Sequence, residues 1–590
     1  MAFLTGQAAF GYPSFDGCTG SLSDSDFKLE HLATRNDGIL EPLKMAFDMD
    51  ENNNVFIYFI QRRGTISLYN PVTDKVSMLG KIPFIGDMGT VVVEDGLVGI
   101  ALDPGFKTNK WLYLFYSWEE AFRVSRFTLI NDSLNMGSEK IILKILSGRA
   151  RWHTGGAMQF DDYGDLWISV GDNESMENGP ANTADLRGGI LRIRPIPFPD
   201  TQTPTPGAGA TYTIPKGNMW EHGAEYFSSI NENTIASQYR DPAQMRREIY
   251  AKGTRNSYTL SLDPVRRWAA FGDCGPDYST GGEYDVNDSA NMSEEHTIIT
   301  KPSFMGWPYW SGWNYTQPNT AEYYDEPNES FWGAKDPLKP ENKNAHAQGV
   351  DRLLPYTGAT HAYRHSCAMT GPIYRYNGAL STGVKLPPHF DRYWFVTDSN
   401  LGWIRALKLN NEGTKVESSE LVFSSLKSSN EQVITQPLDF QAGPDGALYV
   451  VNYSCKAWYT TDACAGIFKI SYTGSCQAPD IVPEKTGCTD ERYGEYDSTV
   501  SFHDSSACIT KTIGAYVETE KSGFSMRDSK INVTLEGEHT LQILDLQGRV
   551  VYSKTSKGPR EYSVTGLVNR GIYVLRIRSQ QREFLQKLLY

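Results

Sequence analysis

Absences bound this chain first. Its 590 residues hold no run of eighteen apolar ones, so nothing in it spans a bilayer as a helix. No Cys-x-x-Cys pair occurs, which sets a zinc ribbon aside. Bases are outnumbered by acids, 56 to 70, and the net charge of −14 argues against binding along a phosphate backbone; nucleic acid is not an expected partner. Candidate helices are few. Residues 1–11 carry the apolar groups Ala2-Phe3-Leu4 and Ala8-Ala9-Phe10 and a small-x-small site, but no basic leading region; they read as a signal-peptide remnant.

What is present is turn chemistry mixed with strand formers: 53 glycines, 30 prolines, 33 tyrosines and 13 tryptophans suit short strands joined by many turns. Over residues 44–472 a loose unit recurs six times: an apolar strand, a turn built on Asp, Pro, Gly or Asn, then an aromatic-rich strand. One copy runs Gly99-Ile100-Ala101-Leu102-Asp103-Pro104-Gly105-Phe106 into Trp111-Leu112-Tyr113-Leu114-Phe115-Tyr116. Such repetition predicts an all-β chain: a six-bladed β-propeller over 12–473, with long insertions at 195–242 and 314–360. Two tandem sandwiches would leave the recurring pattern unexplained. Residues 474–530 form a cysteine-containing linker, and 531–590 a compact strand-rich module, expected to be a small β-sandwich. Eight cysteines, four of them between Cys464 and Cys508, favour disulfides and an oxidising compartment; the simplest pairs are Cys488 with Cys508 and Cys455 with Cys464.

The chemistry centres on Arg151-Trp152-His153-Thr154-Gly155-Gly156, followed by the turn Asp162-Tyr163-Gly164 and a strand from Leu166 to Val170 that ends at Gly171-Asp172. Glycines beside a histidine let a flat ligand or a substrate hydroxyl approach the backbone. An aspartate at the end of the next strand is placed to orient an imidazole for general-base work. The same residues also suit a histidine that merely hydrogen-bonds a tight loop. Trp307, Tyr309, Trp310, Trp313, Tyr315, Tyr323 and Tyr324 suit stacking on sugar rings, or packing between a sheet and its insertion. No serine or cysteine nucleophile motif accompanies His153 and Asp172, which makes calcium-dependent hydrolysis with that pair the weaker chemistry.

Further motifs stand in order along the chain: Glu94-Asp95-Gly96-Leu97-Val98-Gly99-Ile100-Ala101, Arg255-Asn256, Gly275-Pro276-Asp277, Glu295, Gly306-Trp307-Pro308-Tyr309 and Gly443-Pro444-Asp445-Gly446-Ala447-Leu448-Tyr449-Val450. With the His153 and Asp172 motifs, these make residues 35–473 resemble the glucose/sorbosone dehydrogenase family, which includes soluble quinoprotein glucose dehydrogenase and the aldose sugar dehydrogenases. The resemblance implies pyrroloquinoline quinone held with calcium at the mouth of the channel. It also implies oxidation of the anomeric carbon of an aldose or oligosaccharide by hydride transfer to that quinone. In this reading His153 is the base, Asp172 the acid that positions it, and Arg255 the cation beside the quinone carbonyl. Asn256 and Glu94 are cofactor neighbours, and Gly275 and Pro276 supply backbone carbonyls to calcium. The departure lies where the family clamps the cofactor's carboxylates with a lysine and two arginines: this chain has Asn400, Gln436 and Leu438, with Lys427, Arg364 or Arg405 as bases that would substitute. The alternative is a propeller of the same family that binds carbohydrate or protein and has lost the cofactor. Residues 531–590 resemble the type A C-terminal sorting domain of type IX secretion, through Ile543-Leu544-Asp545-Leu546-Gln547-Gly548-Arg549-Val550-Val551-Tyr552 and Gly571-Ile572-Tyr573-Val574-Leu575. That implies a secreted or cell-surface protein, with the type IX machinery as a partner.

Overall fold

The computed structural model describes residues 22–83, 94–119, 121–147, 152–174, 179–219, 245–275, 294–311, 353–363, 367–455 and 462–474, short pieces at 322–323, 338, 340 and 458, and most of 484–489, 493–508, 524–565 and 572–589. The segment 1–11, Pro276, Arg364, Trp313, Tyr315 and Tyr324 lie outside these. Contacts divide the chain into Met1–Pro483 and Glu484–Tyr590.

The β-branched and aromatic runs form strands throughout; the one α-helix among the described residues is the single turn Phe106–Asn109. In the first unit six sheets of four or more strands follow one another along the chain. Their first strands are Pro42–Met49, Leu97–Leu102, Gly155–Phe160, Ser257–Leu262, Ala368–Ile373 and Pro437–Ala442. Each touches the next in chain order, and the last returns to the first, so they make a ring. The fold is all-β and propeller-like. The sixth sheet is completed from the other end of the chain: Phe27–Thr34 pairs antiparallel with Gly466–Tyr472, Phe27 opposite Tyr472. The sequence repeats, counted from residue 44, do not include this strand, because the strand it pairs with lies more than four hundred residues away and leaves no local mark.

The recurring turn acids have a physical purpose. Asp161 accepts hydrogen bonds from the backbone N–H groups of Tyr163 and Asp165 and from Trp167 Nε1, and pairs with Arg267 at 2.6 Å. Asp445 accepts from Ala447 N–H and the Tyr449 hydroxyl and pairs with Lys469 at 2.8 Å. Each carboxylate thus closes its own loop and locks a neighbouring strand. Between sheets the core is apolar and falls into several clusters, with Trp167 and Trp394 fully buried.

Three disulfides are present among the described residues. Cys455–Cys464 and Cys488–Cys508 are the two expected pairs. The third, Cys274–Cys367, ties the end of a strand in the fourth sheet to the start of the fifth, 93 residues on. In the second unit a three-stranded sheet, which begins with Phe524–Arg527, and a four-stranded sheet share one apolar cluster that includes Ile531, Val533, Leu541, Ile543, Leu575 and Ile577.

Candidate functional site

Hairpin register places the central histidine and aspartate. Gly155–Phe160 pairs antiparallel with Leu166–Val170, Gly155 opposite Val170, so the residues just before the first strand and just after the second lie side by side. Asn173 N–H donates to the His153 carbonyl at 3.1 Å, and a Cβ at Gly171 would collide with that same carbonyl; only glycine lets the two loops close. His153 itself sits at φ 52°, a left-handed conformation that an L-residue holds only when its surroundings impose it. Two such bonds do so: its N–H donates to Glu94 Oε2 at 2.8 Å, and its ring Nδ1 lies 2.7 Å from Asp172 Oδ1. A carboxylate only accepts, so Nδ1 carries the proton and Nε2 is left with its lone pair.

The remaining predicted residues converge from the neighbouring sheets. Asp172 N–H donates to the Arg255 carbonyl at 2.7 Å, joining the third sheet to the fourth. Asn256 holds both sides of the histidine loop, donating to Glu94 Oε2 at 3.1 Å and accepting from Gly155 N–H at 3.2 Å. The Arg255 guanidinium donates from Nη1 to the Cys274 carbonyl at 3.2 Å, which the Cys274–Cys367 disulfide anchors. Gly275 is buried, its N–H facing Glu294 Oε2 at 3.3 Å. Glu94, His153, Arg255 and Asn256 line a single cavity of about 740 Å³, a volume in the range of small-molecule sites. Glu94 and Asn256, 162 positions apart in the chain, thus meet in one site.

Beneath it, Asp273 accepts from Arg255 N–H at 2.9 Å and Asn256 N–H at 2.6 Å. Burial pushes its carboxyl up to about 6, against the pull of those two N–H groups. A carboxyl raised on folding contributes stability that is present in full below its unfolded value and is lost as pH rises through about 6. The stability advantage of the wild type over Asp273→Asn is therefore expected to shrink by about 3 kcal/mol between pH 3.5 and pH 7, read from denaturant unfolding at each pH.

Several lining residues carried no sequence signal. Arg62 reaches the cavity wall from the hairpin turn after Val55–Gln61, held by the buried Glu41 at 2.9 Å, a carboxylate it shares with Arg63. Trp152, Tyr258, Tyr453 and Trp458 add aromatic faces. Of the three positions that depart from the family's cationic clamp, Asn400 and Leu438 line the cavity, whereas Gln436 is buried and accepts from the Ser454 hydroxyl. Behind Leu438 the buried Lys44 donates to its carbonyl at 2.5 Å; burial lowers that ammonium to about 7. Lys427 is instead exposed and paired with Glu431, and Arg405 lies against Trp403 and Ser419 in the fifth sheet. The aromatic insertion also sorts itself. Trp307, Tyr309 and Trp310 are buried, with Trp310 stacked on Tyr356, so these three pack rather than face a sugar. Trp307 in addition donates from Nε1 to Asp172 Oδ2 at 2.9 Å.

Residues 39–213 match the Glucose / Sorbosone dehydrogenase family. That span contains Glu94, His153 and Asp172. Residues 527–590 match the secretion system C-terminal sorting domain, the type IX sorting signal that marks a secreted or cell-surface protein. No helix among the described residues is long and apolar enough to cross a membrane. Among solved structures the chain is similar to a putative oxidoreductase (glucose dehydrogenase) from Thermus thermophilus, at 17% identity over 75% of this chain and 99% of that one, TM-score 0.48. It is likewise similar to the PQQ-bound form of aldose sugar dehydrogenase from Streptomyces coelicolor, at 14% identity over 75% and 98%, TM-score 0.47.

Proposed function

We propose that the six sheets are the blades of a six-bladed propeller, that the last strands form a sorting β-sandwich, and that the propeller is a quinoprotein sugar dehydrogenase. The observation that carries the reading is the His153–Asp172 pair, 2.7 Å apart, in a cavity shared with the Arg255 guanidinium. The residues present fit an acidic, flat, quinone-bearing ligand. Arg62 and Arg255 offer guanidinium donors and Asn256 and Asn400 offer amides, while Tyr453 and Trp458 supply flat apolar faces. Arg62, which lines the same cavity as Asn400 and Leu438, is the residue that would meet a carboxylate where the family's own clamp is missing. Gly275 and Pro276 would give backbone carbonyls to calcium, a hard cation that takes oxygen ligands.

Pyrroloquinoline quinone, when bound, supplies the two-electron acceptor for a hydride. The chain's own residues supply the rest. His153 Nε2 takes the proton of the anomeric hydroxyl, which lets the C1–H bond break as a hydride and leaves the sugar as a lactone. Asp172 holds the imidazole in the tautomer that keeps Nε2 basic and stabilises the imidazolium once it forms. Arg255 places positive charge in the cavity, where negative charge develops on reduction of the acceptor.

The test is reconstitution: pyrroloquinoline quinone and calcium are added to the purified protein, and dye reduction is followed with a panel of aldoses and short oligosaccharides. Aldose-dependent reduction is expected. Calcium uptake by calorimetry, with no quinone retained after gel filtration, would overturn the dehydrogenase and leave a binding propeller.

A further inference from the structure

We propose that Trp307 is a positioning residue for His153, acting through Asp172 as the third member of a Trp–Asp–His chain. Asp172 is fully buried, and each of its oxygens is committed. Oδ1 faces His153 Nδ1 at 2.7 Å and accepts from Glu174 N–H at 2.9 Å, while Oδ2 accepts from Trp307 Nε1 at 2.9 Å. The indole is fixed in turn. Trp307 N–H donates to the Gly253 carbonyl at 3.0 Å, and the ring lies 6.0 Å from the Arg255 guanidinium carbon. One buried side chain from the segment after the fourth sheet's third strand therefore donates to the orienting acid and also sets its ring near the cavity arginine.

The indole N–H does two things. It fixes the plane of the carboxylate, so that Oδ1 points at the imidazole. It also draws negative charge toward Oδ2, which weakens the attraction between Asp172 and a protonated His153 and so keeps the imidazole neutral, as a base must be. The other charged groups around His153 are Glu94 on its backbone N–H, Glu174, Arg62 and Arg255 in the same cavity, and Asp273 beneath Arg255. The indole acts at Oδ2, the carboxylate oxygen that the imidazole does not use, so removing Asp172 separates its effect from theirs. The proposal rests on the dehydrogenase reading only for its consequence in turnover; the effect on proton affinity belongs to the protein alone.

The substitution Trp307→Phe removes the N–H and keeps a ring beside Arg255. Its effect is read on the full chain without added cofactor, by NMR titration of the His153 ring, identified as the resonance missing from His153→Asn. The His153 titration is expected to move up by about half a pH unit or more, with circular dichroism unchanged. In the Asp172→Ala background, where neither carboxylate nor amide remains to relay it, the same substitution is expected to move it no further, because the path runs through the carboxylate. In the reconstituted enzyme the acid limb of kcat moves up by the same amount with KM unchanged. A titration in Trp307→Phe that superimposes on the parent overturns the proposal, as does a shift that persists in Asp172→Ala. If the titration moves but no aldose is oxidised under any condition, the Trp–Asp–His chain stands and the dehydrogenase reading falls.

Discussion

For the dehydrogenase proposed above, His153→Asn in the reconstituted protein is expected to lower kcat for aldose oxidation by on the order of 10³-fold while leaving the fold and quinone uptake in place. The magnitude follows from what is removed: the one imidazole among the described residues that line the cavity, whose Nε2 is the atom left to take a proton once Asp172 holds Nδ1. Asparagine is chosen for the backbone. His153 sits at φ 52°, where alanine costs about 1–2 kcal/mol and asparagine is better tolerated, so loss of activity is not confounded by strain. Its N–H still donates to Glu94, and the loop keeps its place. The measurement is stopped-flow reduction of the bound quinone by sugar, alongside quinone absorbance after gel filtration. Retained turnover within about tenfold of wild type would remove His153 from the chemistry.

Asp172→Asn is expected to lower kcat by roughly 10²–10⁴-fold, although the substitution is nearly isosteric. Three donors converge on the carboxylate: the His153 ring, Glu174 N–H and Trp307 Nε1. An amide has one oxygen to accept them and an NH₂ that must face at least one. Turned toward Trp307 or Glu174, the NH₂ opposes another donor inside a fully buried site. Turned toward His153, it forces Nδ1 to accept and moves the ring proton to Nε2, where the base is needed. Either outcome leaves the imidazolium without its counter-charge. Nitrogen-15 spectra of the His153 ring report the tautomer directly, and an unchanged tautomer with unchanged kcat would show that Asp172 has no orienting part.

How much of this was legible from residues alone depended on the distance over which each signal is written. Turn acids such as Asp161 and Asp445 act within a few residues, so the strand–turn–strand units, and with them the all-β class, read directly from the chain. His153 and Asp172 sit at the two open ends of one hairpin, and its glycines announce the close approach that brings them together. The disulfides Cys455–Cys464 and Cys488–Cys508 join near neighbours in sequence and were equally accessible.

Other features have no local trace. Phe27–Thr34 is an ordinary strand until ring closure gives it Gly466–Tyr472 as a partner. Arg62 is one of two bases in a hairpin turn, and only its tertiary partners, the buried Glu41 carboxylate and the Asp95 carbonyl ahead of the second sheet, hold it at the cavity wall rather than in solvent. Cys274 and Cys367 could have paired elsewhere until the fourth and fifth sheets came together.

Trp307 marks the division most clearly. Its aromatic surroundings pointed equally to a sugar platform and to packing. Burial chose packing, and the direction of one indole N–H, 2.9 Å from Asp172, gave that packing a chemical consequence. Sequence by itself determined strand content, turn chemistry, the His–Asp hairpin and the two families that the chain resembles, because periodicity, turn preference and short motifs are local. Which charges meet in the cavity, what holds the orienting acid, and how the ring of sheets is closed were decided only by the tertiary structure, since each depends on contacts between segments that are distant along the chain.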